Sequence, residues 1–252
     1  MFNQVKWRAR LLFTSPASAV YAFKCRCYNL VNLFLRGKKV KCNICCWEGY
    51  RFSAMAGAYY IRYNAICPVC GSAERNRALI AYMNNRGDFS DKQVRYLDIG
   101  PIKGARAYFE AKHCDYISID LDTKYAIKKM DVTRLQFLDE TFDIIICSHV
   151  LEHVKDDLLA SREMARVMKP GGRGYIMVPF DKNRKETIEY EKPNPRDPLH
   201  IRSYGRDFID RIASAGFRVQ EVDLVAEAGE AKAALYGLGK EEICVVCTKK
   251  GG

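Results

Sequence analysis

The 252-residue sequence has no apolar run of the ~18–20 residues needed to span a bilayer. That absence argues against an integral membrane protein. The opening stretch, "MFNQVKWRARLLFTSPASAVYAF", has the basic start and small residues of a secretory leader. Its apolar stretch is broken by Thr14, Ser15 and Pro16, however, and cysteines with metal spacing follow. The expectation is a cytoplasmic, reduced protein. The dinucleotide fingerprint G-x-G-x-x-G is also missing, which weighs against NAD. Acidic residues are scarce in one region only: residues 1–92 carry 15 Lys/Arg against 4 Asp/Glu, whereas residues 93–252 carry 26 of each. The entire net charge of +11 therefore precedes Val94. This marks a boundary and points to an anionic partner, either RNA, a lipid surface or a phosphorylated substrate. The plainer reading is a solvated basic face that serves solubility.

Cysteine is plentiful, with eleven residues. Cys42 and Cys45 form one C-x-x-C, and Cys67 and Cys70 another, with Pro68 and Gly71 suited to the tight turn of the second knuckle. Two such knuckles can aim four thiolates at one tetrahedral Zn²⁺, a structural site with no open position. Cys46 is a spare that competes with Cys45. Before them, Val20, Phe23, Cys27, Leu30, Val31 and Phe34 recur at helical spacing, with Asn29, Asn32 and Arg36 opposite and Gly37 as a stop. The periodicity predicts a helix over 17–36 that packs its apolar face on the rest of the protein. The sharper alternative is a helix lying on a membrane surface beside the basic run "RGKKVK". Within it, Cys25 and Cys27 are expected to be buried thiols. Ser72 reads as the N-cap of a helix to about Asn85. Arg75 and Arg77 fall in its first turns, either on a solvated face or facing a specific anion.

From Val94 strands alternate with helices: "VRYLDIG", "GARAYFEAKH", "YISIDLD", "FDIIICS", "VLEHVKDDLLASREMARVMK" closed by "PGG", "RGYIMVP", "YGRDFIDRIASAGF" and "EEICVVCTK". This pattern predicts an open doubly wound α/β sheet with ligands at the carboxyl ends of its strands. Asp120, 20 residues beyond Gly100, is placed to hold ribose hydroxyls. A ligand without phosphates suits "DIGPIKG" best, although Lys103 keeps a phosphate ligand open. "HVLEH" fits the zinc-peptidase signature H-x-x-E-H. Because "FDIIICS" delivers the chain to it as a strand, His149 should fall at a strand-to-helix turn, and the two histidines should not share a helical face. Glu152 and His153 are expected to begin the following helix. Cys244 and Cys247, a third C-x-x-C, point to opposite faces of a strand and read as a buried sheet edge.

"YLDIGPIKG", "SIDLD", "MDVTRL", "FDIIICSHVLEHV", "MKPGGRGYIMVP" and "AGFRVQEV" occur in the order and spacing of the class I S-adenosylmethionine-dependent methyltransferases, which the chain resembles over nearly all of residues 94–248. More narrowly it resembles methyltransferase type 11-like bacterial proteins with an N-terminal cysteine zinc ribbon. The resemblance implies a doubly wound, Rossmann-like seven-stranded sheet, and the chain is read in three parts: a basic amphipathic N-terminal helical segment (1–41), a zinc-ribbon module with linking helix (42–92) and the methyltransferase domain (93–252). It implies S-adenosylmethionine as cofactor. Asp98, Gly100 and Pro101 would lie at its methionine end, and Gly104 would allow close approach at the helix start. Asp120 and Leu121 would meet the ribose, Asp131 and Val132 the adenine, and Ser148 and His149 the sulfonium. The sequence departs from the family's D-x-G-x-G-x-G at Ile102.

Four histidines are available for the general base that an alcohol acceptor needs. His113 ends a helix and reads as structural. His200, in the lid segment "NPRDPLHIRSYG", is the first choice for base or substrate contact, with Asp197 to orient it and Arg202 and Tyr204 nearby. The plainer reading is that His200 anchors the loop. His149 is the second catalytic candidate, and Thr187 and Glu189 are weaker ones. No "DPPY" or "NPPY" follows "FDIII", which weighs against methylation of exocyclic base amines. The expectation is O-methylation of a sugar, glycolipid or natural-product hydroxyl, with contact at the inner membrane surface through the basic segment. The alternatives are an RNA methyltransferase gripping RNA through the basic zinc module, and a cofactor-binding scaffold without catalysis.

Overall fold

The structure is a computed structural model that describes residues 16–57, 60–91, 93–179, 181–192 and 199–250. The chain divides into two compact units.

The larger unit comprises residues 89–101, 109–222 and 243–252 and contains the central sheet. Its seven strands are β5 (Arg95–Ile99), β6 (Asp115–Asp120), β7 (Lys128–Lys129), β8 (Phe142–Ser148), β9 (Met168–Met177), β12 (Phe217–Asp223) and β13 (Ile243–Lys249). They lie side by side in the order β12-β13-β9-β8-β5-β6-β7. β5 is parallel to β6 and β8, β6 to β7 and β8 to β9, whereas β13 runs antiparallel to β9. This is the doubly wound, seven-stranded α/β sheet that the sequence leads one to expect. Central parallel strands are covered on both faces, so they read as continuous apolar runs. Accordingly Phe142, Ile144, Ile145, Ile146 and Cys147 are all buried, with Leu97, Ile99 and Ile119 beside them. Below this level Phe109 packs between Tyr96 and Tyr116, at ring-centroid distances of 5.1 and 4.3 Å.

The helix after β8 does not begin at "VLEH". Leu151–His153 forms a single 3₁₀ turn, and the α-helix starts at Asp157. Its N-cap, Asp156, accepts a hydrogen bond from the Leu159 N–H at 2.8 Å, a stronger start signal than the apolar periodicity upstream. The helix ends at Val167, and Met168 already belongs to β9. "PGG" is therefore a bulge inside the strand: Phe142 pairs with Met168, but Ile144 pairs with Arg173. Cys244 and Cys247 are fully buried. They lie on β13, which sits between β12 and β9 rather than at the sheet edge. A two-stranded antiparallel pair, β10 (Ile188–Glu189) with β11 (Arg202–Ser203), carries the segment leading to His200.

The smaller unit comprises residues 1–88, 102–108 and 223–242. It contains α1 (Pro16–Phe34), β1 (Val40–Lys41) paired with β2 (Glu48–Gly49), β3 (Ser53–Ala56) paired with β4 (Ile61–Ile66), and α2 (Glu74–Asn85). The chain then runs into α3 (Ala105–Ala111), and α4 (Asp157–Val167) and α5 (Phe208–Ser214) belong to the larger unit. α6 (Leu224–Tyr236) returns to the smaller one. α1 docks with the face opposite to the expected one. The Asn29 side chain accepts from Ala54 N at 2.7 Å and donates to Ala54 O at 3.2 Å, and Asn32 donates to Arg51 O at 3.1 Å. Phe23, Leu30, Leu33 and Phe34 are instead 68%, 59%, 71% and 75% exposed. Two asparagines thus satisfy backbone groups in β3 and just before it. Cys25 is half-buried and Cys27 exposed, which corrects the expectation of buried thiols. Among the described residues no helix is long and apolar enough to cross a membrane.

Candidate functional site

Parallel pairing brings the predicted cofactor residues of the larger unit to one level. Ile99 pairs with Ile119 on one side and with Cys147 on the other. Gly100, Asp120 and Ser148 therefore follow one another across the carboxyl ends of three neighbouring strands, where doubly wound sheets bind ligands. Gly100 has φ +73, and a Cβ on it would lie 2.6 Å from Val150 Cγ2. Both the turn and the packing thus require glycine. Pro101 is buried beside it.

Asp98 is buried on β5, and the Tyr116 hydroxyl donates to its Oδ2 at 2.8 Å. Burial pushes its pKa up to about 7, against the lowering effect of the Tyr116 hydrogen bond. A group carrying a cation would fit beside such a carboxylate. Burial also raises the pKa of Asp120, at the end of β6, and the backbone N–H groups of Asp122 and Leu121 work against it. Leu121 is exposed, Asp131 is exposed with its carboxylate capping Thr133, and Val132 is buried. This set can take a ligand with a cation near Asp98 and a diol at Asp120.

His149 stands at the end of β8 with φ +57. Its Nδ1 lies 3.3 Å from Oε1 of Glu152, whose side chain is only 1% exposed. Burial is the largest influence and disfavours the Glu152 charge, but His149, His153 and a backbone hydrogen bond together outweigh it and hold the pKa below the ordinary value. His200 Nε2 is 3.9 Å from the same oxygen. The two catalytic candidates therefore meet at one buried carboxylate. No side chain had been assigned that role, and the signal for it was the acid inside "HVLEH".

The expected neighbours of His200 are engaged elsewhere. Arg202 is buried. It donates to both Glu189 carboxylate oxygens and to the carbonyls of Leu151, Val154 and Lys155, which closes the 3₁₀ turn. The buried Tyr204 donates to Asp157 Oδ2 at 2.8 Å, and Arg211 pairs with the same carboxylate. Thr187 bonds to Asp207. Asp197 lies outside the described residues, and His113 is exposed at a helix end.

In the smaller unit, Cys42, Cys45, Cys67 and Cys70 converge, with their sulfurs all within 4.8 Å of one another. Cys42 and Cys70 are 3.6 Å apart, as are Cys45 and Cys67. Four thiolates at ~2.3 Å from one tetrahedral ion would stand about 3.8 Å apart, so the cluster could hold zinc. Ser72 is not the N-cap of α2, a position taken by Ala73. Its hydroxyl lies 3.2 Å from Cys70 Sγ and 3.4 Å from Cys42 Sγ. Each knuckle places a left-handed residue after its second cysteine, Cys46 (φ +61) and Gly71 (φ +73). Cys46 is thus the exposed turn residue and not a member of the cluster. A Cβ on Gly104 would meet Cys70 Cβ at 2.6 Å, so the close approach that this glycine allows is to the second knuckle.

Arg77 is fully buried and faces backbone oxygens rather than an anion. It donates to Ala65 O, Ser72 O, Tyr236 O and Gly237 O at 2.6–3.0 Å. Its guanidinium stacks 3.7 Å over the Phe52 ring. The charge therefore sits at the carboxyl terminus of α6, where the helix dipole favours it.

Among proteins of known identity, a 43-residue stretch is 54% identical to a demethylmenaquinone methyltransferase of Mycolicibacterium paratuberculosis, covering 17% of this chain and 19% of that one. An uncharacterized methyltransferase of the same organism is 28% identical over 152 residues, covering 58% of this chain and 57% of the other. The chain spans from about a fifth to under three-fifths of the length of these relatives. A crystal structure of a SAM-dependent methyltransferase from Archaeoglobus fulgidus is 16% identical, with a TM-score of 0.49 over 68% of this chain and 93% of that one. Residues 77–176, a stretch that carries the first strands of the sheet and the His149–Glu152 pair, match the family model described as "Methyltransferase domain".

Proposed function

We propose that the chain is an S-adenosylmethionine-dependent methyltransferase that O-methylates a hydroxyl of a sugar, glycolipid or natural product. The observation that carries this reading is the alignment of Gly100, Asp120 and Ser148 at one level of three adjacent strands. When bound, S-adenosylmethionine supplies an electrophilic methyl group whose sulfur departs with the electron pair. Asp98, buried with only a tyrosine hydroxyl donating to it among the described residues, would face the cationic methionine end. Asp120 would accept the ribose hydroxyls, and Asp131 and Val132 would flank the adenine. His149 takes the proton of the acceptor hydroxyl: Glu152, facing Nδ1, favours the tautomer with the proton there and leaves Nε2 to act as base. His200 contacts the acceptor. Holding the acceptor oxygen in line with the methyl group is worth ~7–11 kcal/mol by itself.

Cys42, Cys45, Cys67 and Cys70 hold a structural Zn²⁺ in this reading. The exposed apolar residues of α1, next to Lys38 and Lys39, favour contact with an anionic membrane surface near a lipid-borne acceptor. The basic excess of residues 1–92 supports a second reading, methylation of RNA.

Native mass spectrometry of the purified chain should show one zinc and one S-adenosylmethionine or its demethylated product. Labelled methyl transfer to cell extract split into lipid, RNA and small-molecule fractions then identifies the acceptor class. Bound cofactor with no transfer to any fraction would refute enzymatic activity. His149→Gln should retain the cofactor while turnover falls by ~10²–10⁴.

A further inference from the structure

Three of the four histidines of the larger unit come together. His149, His153 and His200 surround one buried carboxylate, and the reaction proposed above gives His153 no task. We infer that Glu152, His153 and His200 form a binding site for a divalent first-row transition cation.

One ligand atom from each of the three residues lies within 4.8 Å of those of the other two. An ion ~2.0–2.2 Å from each atom would hold them no more than about 4.4 Å apart, an adjustment within reach of side-chain rotation. The donor set, two imidazoles and one carboxylate, suits divalent iron, manganese, cobalt or zinc and leaves further positions open. His153 is prepared for this role. Its Nδ1 is 2.9 Å from the carbonyl oxygen of Leu199. A carbonyl only accepts, so Nδ1 carries the proton and Nε2 keeps the lone pair that a metal requires. Such a bond from the far ring nitrogen to a backbone oxygen is the usual support of a ligating histidine. The backbone ties the two halves of the site together, because Ile201 N donates to Glu152 O at 3.0 Å. The His153 and His200 rings meet edge to face at 4.9 Å.

The burial is graded as an ion site needs. The Glu152 side chain is 1% exposed, whereas that of His200 is 21% exposed, so one side opens to solvent for a water or an acceptor oxygen. His149 Nδ1 and His200 Nε2 both stand against Oε1 of Glu152, and a turn of the carboxylate would give one oxygen to His149 and the other to the ion. The use of the cation rests on the methyltransferase reading: a hydroxyl bound to it gives up its proton more readily, here to His149. Binding itself requires neither cofactor nor acceptor and can be measured without them.

The test is a Mn²⁺ titration of the full chain, zinc retained on the cysteines, followed by the electron paramagnetic resonance of free Mn²⁺. Manganese stands lowest in the divalent affinity series, so it does not displace zinc from thiolates. The expected result is one Mn²⁺ per chain with zinc still at one per chain. Affinity should weaken at least about tenfold in His200→Ala and in His153→Gln, the loss that even an outer-shell change causes. The wild-type stoichiometry needs no variant, and thermal melts check that both variants fold. No Mn²⁺ on the wild type, binding that survives both substitutions, or uptake matched by zinc release would each overturn the site. Turnover without Mn²⁺ binding removes the cation site and leaves methyl transfer standing. Mn²⁺ binding without turnover does the reverse.

Discussion

Asp98→Asn should stabilise the protein, and the gain should grow with pH. In the folded chain the Asp98 carboxyl titrates at about 7 instead of the ordinary 3.8 because it is buried. Its folded pKa is raised, so the favourable contribution of the protonated form is fully present below 3.8. That contribution is lost as pH rises through 7, since the unfolded chain gives up this proton first. The whole shift is about 3 units, or ~4 kcal/mol at ~1.36 kcal/mol per unit. From pH 5 to pH 8 the wild type loses the last two of those units, ~3 kcal/mol. Asparagine does not titrate, and its side-chain oxygen still accepts from Tyr116. Urea unfolding of both proteins at pH 5 and pH 8, without cofactor, measures the difference. The midpoint gain of Asp98→Asn should be ~1–2 M larger at pH 8, for a denaturant slope of ~1.5–3 kcal/mol per M. A midpoint difference that is the same at both pH values would refute the reasoning.

Arg77→Met keeps the stacking volume over Phe52 but removes four hydrogen bonds to carbonyl oxygens, of which Ser72 O keeps a second donor in the Cys67 N–H, so it should cost at least ~3 kcal/mol in chemical unfolding. Arg77→Lys should recover only part of this, because an ammonium cannot reproduce the planar fork. Cys46→Gly should leave zinc at one per chain by native mass spectrometry and raise stability by up to ~1 kcal/mol, since its φ of +61 suits glycine. Loss of zinc in that variant would return Cys46 to the ligand set. Tyr204→Phe should cost ~1–3 kcal/mol with cofactor affinity unchanged by calorimetry, because the hydroxyl serves Asp157 within the core.

The sheet and the end of it that carries the site were legible because the parallel strands are buried on both faces. "YLDI" and "FDIIIC" can hardly be read otherwise, and parallel register then brings Gly100, Asp120 and Ser148 level with one another. The cysteine knuckles were legible from spacing alone. The docking of α1 was not. Helical periodicity locates an apolar face, but Asn29 and Asn32 bind strand backbone, and that specific hydrogen bonding turned the helix over. α6 was missed because "LVAEAGEAKAALYG" has little amphipathic contrast and a glycine inside it, Gly229, at φ +75. The roles of Arg77, Arg202 and Tyr204 were also hidden, since pattern reading assigns charged and polar residues to surfaces. Each lies buried against partners far along the chain. The Glu152 cluster was in view as a motif, but its meaning depended on His200, which the fold brings from 48 positions beyond Glu152.

The Arg77 clamp has a consequence for how the chain is made. The carbonyls of Tyr236 and Gly237 that complete it are synthesised 159 and 160 residues after the arginine. At ~5–20 residues per second, the ribosome reaches them roughly 8–30 s after Arg77 is made. During that interval the paired cysteines exist in a nascent chain whose closing helix does not. A metal taken up by the four cysteines would have this interval in which to reach them before the Arg77 clamp is complete.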